Sequence, residues 1–101
     1  MASRLSLQTF LENLIKSRNV YFDPPSSLNM NYDAIRYSRK SMDALHANDS
    51  RYKSLTCYEL TVISRNAESP IIELLLQVPY CSYDRHYKAD NLHHDVFTLY
   101  Y

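Results

Sequence analysis

The sequence predicts an α+β fold: an antiparallel sheet of about four strands, with an N-terminal helix and a short second helix packed on one face. Two observations carry this expectation. Apolar residues recur at spacings of three and four near the start and again after residue 69, whereas the segments between and after them alternate with period two. The resulting order of helix, strand, strand, helix, strand, strand fits within 101 residues, which favours helices laid on an antiparallel sheet. A chain of this length buries only about 60 to 65 per cent of its unfolded surface. Residues 1–101 are therefore expected to form a single domain around one small core.

Leu7, Phe10, Leu11, Leu14 and Ile15 define an amphipathic helix from about Ser6 to Ser17, with Glu12, Asn13 and Lys16 outside. "NVYFDPPSSLNMNYD" follows as a short extended piece that the double proline stops, and the chain up to Tyr32 reads as a loop. In "AIRYSRK", Ile35, Tyr37 and Arg39 alternate with Arg36 and Ser38 as a half-buried strand. "SMDALHANDSRYK" reads as a polar connection into "SLTCYELTVIS", whose β-branched and aromatic residues point both ways: Tyr58, Leu60 and Val62 on one face, Cys57, Glu59, Thr61 and Ile63 on the other. That strand belongs at the centre of the sheet. Ser69 as N-cap and Pro70 at the first helical position start a second helix, with Ile71, Ile72, Leu74, Leu75 and Val78 as its apolar side and Pro79 as its stop. Strands from about Tyr80 to Tyr87 and from Asp95 to Tyr101, joined through "KADNL", complete the chain.

Composition narrows the function. There is no glycine, so the chain holds no P-loop, dinucleotide fingerprint or nucleophile elbow, and its turns must use residues such as Asn19, Asp23, Asn29, Asn48, Asn66, Asp90 and Asn91. Lys+Arg and Asp+Glu each total 11, so no net charge draws the molecule to a nucleic-acid backbone or an anionic membrane. Arg36, Arg39 and Lys40 beside Tyr37 have the chemistry to follow phosphates, but three charges on a neutral chain read as a solvated strand edge. No apolar run approaches the roughly 20 residues of a membrane span, and the start shows no leader pattern, so the expected setting is a cytoplasm. Cys57 and Cys81 are then two small hydrophobes rather than a disulfide. Ten tyrosines combine ring area with a polar tip, which suits half-buried strands and subunit contacts.

The closing run "CSYDRHYKADNLHHDVFTLYY" holds the residues with the most chemistry. His93 and His94 are neighbours and point to opposite faces of a strand, whereas His86 comes near one of them across a tight hairpin. Neither a C-x-x-C nor an H-x-x-x-H pair accompanies them, so no metal and no cofactor is expected. Cys81, His86 and Asp84 are the right types for a nucleophile, base and orienting acid, but in an uninterrupted strand Cys81 shares a face with Tyr83 and Arg85 while Asp84 and His86 lie opposite. No catalytic residue is assigned, and no enzyme activity is expected.

"VYFDPP", "IRYSRKSMDALHANDSRYK", "YELTVISRNAES" and above all the closing run together resemble a family of small virion proteins of long-tailed bacteriophages, described as tail-completion, tail-terminator or minor capsid proteins of the head-tail joint. The resemblance extends from about Val20 to the end. It implies a subunit of a homo-oligomeric ring, a hexamer, that caps the tail tube and meets a head-closure or connector protein. It also implies a place in the virion after assembly in the host cytoplasm, with DNA only passing through the lumen and no membrane contact. The alternatives within reach are a head-closure or adaptor protein of the same joint, or a small non-enzymatic host-interacting phage protein. On this reading the "DALHANDSRYK" connection and the "DRHYKADN" hairpin grip neighbours or the tube, through Asp43, His46, Asn48, Tyr52, Arg85, His86, Lys88, Asp90 and Asn91.

Overall fold

The computed structural model describes residues 4–25, 28–47 and 50–101, with 41–47 and 50–55 described by their backbone alone. Helix α1 spans Arg4–Ile15 and buries Leu7 and Leu11 completely. Phe10, counted with the buried stripe above, is 36% exposed at its margin, with its ring 6.2 Å from that of Tyr101. The helix ends without glycine. Lys16 adopts φ 55°, and the Ser17 N–H donates to the Glu12 carbonyl at 3.1 Å, the six-to-one bond that closes a left-handed helix terminus.

Five strands follow rather than four: β1 (Val20–Phe22), β2 (Ala34–Ala47), β3 (Ser50–Ser64), and, after helix α2 (Pro70–Leu76), β4 (Cys81–Ala89) and β5 (Leu92–Tyr100). They lie in the order β1-β2-β3-β5-β4, so the strand expected at the centre is there. The sheet is mixed, because β1 runs parallel to β2, with Val20 beside Ile35 and Phe22 beside Tyr37. Three residues are too few to show a period, which is why "VYF" reads only as an extended piece. Residues 23–33 then carry the chain back to the end where β1 began, and a return of that kind makes the two strands parallel.

The second correction concerns "SMDALHANDSRYK", read above as a connection. Most of it is strand. β5 pairs with β3 from Cys57 to Ser64, the Tyr101 N–H adds a bond to the Thr56 carbonyl at 3.0 Å, and beyond that point, among the described residues, β2 and β3 pair with each other alone, from Asp43 opposite Leu55 to Ala47 opposite Ser50. This two-stranded ribbon projects past the rest of the sheet and helps draw the molecule out to 47 × 23 × 22 Å. A ribbon outside the core needs no apolar face, so it leaves no hydrophobic alternation in the sequence.

The helices cover one face of the sheet, as expected. Leu7, Leu11, Ile71 and Leu75 meet Ile35, Tyr37, Tyr58, Leu60, Val62, Phe97 and Leu99 in one core. The other face buries Ala34, Cys57, Thr61, Ile63 and Val96. Near Ile63, Leu92 and His94, the returning loop with Pro25, Leu28 and Met30 lies over this face and borders a cleft.

Two polar nodes lock the layers together. The Tyr37 hydroxyl donates to Gln8 Oε1 at 2.6 Å and accepts from Arg4 Nη1 at 3.5 Å, while its ring sits 5.1 Å from Phe22 and 5.9 Å from Tyr58. Gln8 Nε2 continues to the Val20 carbonyl at 2.9 Å, so α1, β1 and β2 share one network. Burial raises the Tyr37 phenol above its usual value, although the Arg4 guanidinium opposes the shift. At the other node, Asp33 accepts from Ser64 Oγ and from Ser69 Oγ, both at 2.9 Å. Ser69 is also the N-cap of α2, as its position before Pro70 predicts, and its Oγ accepts from the Ile71 N–H.

Asp33→Ala leaves two buried hydroxyls without their acceptor and is expected to cost about 2 kcal/mol, and Tyr37→Phe about 1 kcal/mol. Urea unfolding followed by circular dichroism checks both: the midpoint falls while the slope is unchanged.

Candidate interface on the outer hairpin

The β4–β5 hairpin holds most of the chemistry singled out in the sequence. Its turn is tighter than "KADNL": Ala89 pairs with Leu92, leaving only Asp90 and Asn91 between the strands, with φ 53° and 62°. Two successive left-handed residues match the twist of a two-residue hairpin, and Asp and Asn tolerate that conformation best after glycine. β5 lies inside the sheet and buries His94, Asp95, Val96, Phe97 and Leu99. β4 lies outermost. Only its end residues, Cys81 and Ala89, are partly covered, and every residue from Ser82 to Lys88 is exposed.

A β-bulge changes which side chains share a face. Tyr83 pairs with Phe97 and Arg85 with Val96, so Asp84 has no opposite number. The extra residue reverses the alternation, correcting the assignment made for an uninterrupted strand. Cys81 and Tyr83 share the helix-side face with His86 and Lys88, whereas Arg85 and Tyr87 point to the other. Cys81 and His86 nonetheless stand five residues apart with Tyr83 between them. Burial pushes the Cys81 thiol up to about 11, so at neutral pH it is protonated.

The candidate residues of the hairpin have definite places. Arg85 Nη1 lies 2.7 Å from Asp84 Oδ2, an exposed pair of sequence neighbours worth little stability. His86 Nε2 faces His93 Nδ1 at 3.2 Å. Lys88 stands opposite His93, and Asp90 and Asn91 form the tip. Asp43, His46 and Tyr52 fall on the projecting ribbon by their backbone, their side chains lying outside the described residues, as Asn48 does altogether. Ribbon and hairpin tip sit at opposite ends of β3, since Cys57 pairs with Tyr100 and Ser64 with His93. Arg36 and Arg39 lie on opposite faces, and Arg36 shares a cleft with Asp23 and Glu59, so "IRYSRK" presents no continuous basic patch.

The outer hairpin also carries aromatic residues that were not singled out. Tyr80, Tyr83 and Tyr87 are 70%, 45% and 36% exposed. The Tyr83 hydroxyl donates to Asp95 Oδ1 at 2.9 Å, and its ring packs edge-on against Phe97. Burial and the Asp95 carboxylate raise its phenol above the usual value. Tyr87 stacks on His94 at 4.7 Å between centroids, and burial holds the His94 imidazole below its usual value. The signal for these residues was the tyrosine count, but a count does not say which tyrosines face outward. Among the described residues, no three His, Cys, Asp or Glu side chains come together as a metal-binding group, and no helix is long and apolar enough to cross a membrane.

No family model, curated protein or solved structure matches this chain.

With its thiol at about 11 rather than 9.0, Cys81 of the folded protein is expected to react with iodoacetamide at pH 8 about 100-fold more slowly than in the urea-unfolded chain. Timed quenching and peptide mass mapping, which separates Cys81 from Cys57, measure the ratio.

Proposed function

We propose that this chain is a structural virion protein of a tailed bacteriophage, a tail-terminator or completion protein that forms a ring on the end of the tail tube and joins it to the head. The observation that supports it best is the presence of two unlike surfaces on one small sheet, the β2–β3 ribbon that extends past it at one end and the exposed outer strand β4, whose turn lies at the other. A closed ring is built from heterologous contacts, in which one surface of a subunit meets a different surface of the next. The exposed strand β4, with its tyrosines and mixed charges, has the composition of such a contact. The resemblance carried by "CSYDRHYKADNLHHDVFTLYY" supplies the family, the tail tube and head-closure partners, and a ring of six. Oligomerisation also serves the chain energetically, because a core this small gains from apolar surface covered by neighbouring copies.

Light scattering of the purified protein over a concentration series is expected to show a species near six subunits, alone or once purified tail tubes are added. Replacing Arg85 with alanine and Asp90 with asparagine, which tolerates the left-handed turn, is expected to weaken that assembly while leaving the unfolding free energy of the monomer within about 0.5 kcal/mol of wild type. A protein that stays monomeric and does not attach to tubes in electron micrographs would overturn the proposal.

A further inference from the structure

His86 and His93 come from different strands, yet their imidazoles meet. The nitrogens lie 3.2 Å apart and the ring centroids 5.4 Å apart, with 24° between the planes. The centroid separation exceeds the nitrogen separation by two ring radii, so the rings meet edge to edge, nearly coplanar, rather than face to face. Their in-plane nitrogens point at each other and share one proton.

That spacing is also the bite of a metal ion. Two nitrogens bound to a tetrahedral zinc at about 2.05 Å stand about 3.3 Å apart. Each ring has to turn by about 35° to bring the facing lone pairs onto a common tetrahedral point, a rotation left open to two partly exposed side chains. The backbone beneath them is fixed by the two-residue turn at Asp90 and Asn91 and by pairing to β5, whose other side joins β3. We propose that His86 Nε2 and His93 Nδ1 form a two-nitrogen site for one divalent transition-metal ion of the zinc, nickel or copper(II) type, which imidazole suits.

Binding puts the remaining ring protons on His86 Nδ1 and His93 Nε2. A neutral pair therefore changes tautomer without releasing a proton, and a protonated pair releases one proton for each charged ring. The groups facing the site are mixed. Lys88 stands opposite His93 and repels a cation, Asp95 opposite His86 attracts it, and Ser64 pairs with His93 from β3. Asp95 is committed to the Tyr83 hydroxyl and nearly buried, so it contributes charge rather than a ligand. The other coordination positions are left to water or to a donor on another molecule.

Titration calorimetry of the full chain, purified without a histidine tag, with NiCl2, ZnCl2 or CuCl2 at pH 7.5 tests the site. One ion per chain is expected, with a micromolar dissociation constant, and His86→Ala and His93→Ala are each expected to weaken binding at least about tenfold, as is a shift to pH 5. Copper(II) spin resonance is expected to show two nitrogen ligands, reduced to one in either variant. Circular dichroism confirms that the variants fold. Absence of saturable binding up to millimolar metal, or binding by both variants equal to wild type, overturns the proposal. The site does not depend on the ring: a ring without metal, or a monomer with it, decides the two readings separately.

Discussion

The packing of one short helix onto the sheet depends on a single buried tyrosine. Tyr37 is fully enclosed, and a phenol hydroxyl in that position needs partners, which α1 supplies through Gln8 and Arg4. The same ring fills the space between Phe22 on β1 and Tyr58 on β3. Apolar contacts such as those of Leu7 and Leu11 favour burial but tolerate sliding. The directional bonds at Tyr37 tie that burial to one position of α1, and through Gln8 to the backbone of β1.

Asp33 plays the corresponding part at the far end of β3. One carboxylate joins the start of β2, the end of β3 and the cap of α2. The elements that flank β3 are thus held by polar contacts at its Ser64 end and beside Leu60, and by the apolar core around them. β4 has no such support on its outer side, and only β5 and the contacts of its helix-side residues hold it in place. Exposed strand edges invite unwanted pairing, and β4 carries the usual guards, namely mixed charges and a bulge. A guarded edge suits a contact read through side chains, where Tyr83, Tyr87, His86 and Arg85 set the partner, better than one read through backbone pairing.

Much of this architecture is legible in the residues alone. The α1 stripe, the central position of β3 with its two apolar faces, the Ser69 cap and the terminal hairpin all follow from local period and side-chain chemistry. What escapes is what depends on distant register. β1 is too short to have a period, and its parallel pairing exists only because the loop of residues 23–33 returns to the same end. The ribbon has no apolar alternation because it leaves the core. In the candidate interface, Arg85, His86, Lys88, Asp90 and Asn91 were identified as one hairpin from their sequence clustering, but the faces were misassigned because no residue type signals a bulge at Asp84. That His86 meets His93 rather than His94 likewise depends on the turn being two residues long.

The bulge at Asp84 gives the outer strand one position at which its length is free to shorten. Its exposed side chains can be exchanged singly at little cost to the core. Its length can change at that one place, because removing Asp84 would leave Tyr83 opposite Phe97 and Arg85 opposite Val96 as consecutive pairs, with both halves of the strand keeping their faces. A residue lost between His86 and the turn would instead move His86 to the other face, away from His93. Among descendants of this sequence, a one-residue deletion should therefore be found at Asp84 sooner than between His86 and the turn, where spacing rather than identity is held.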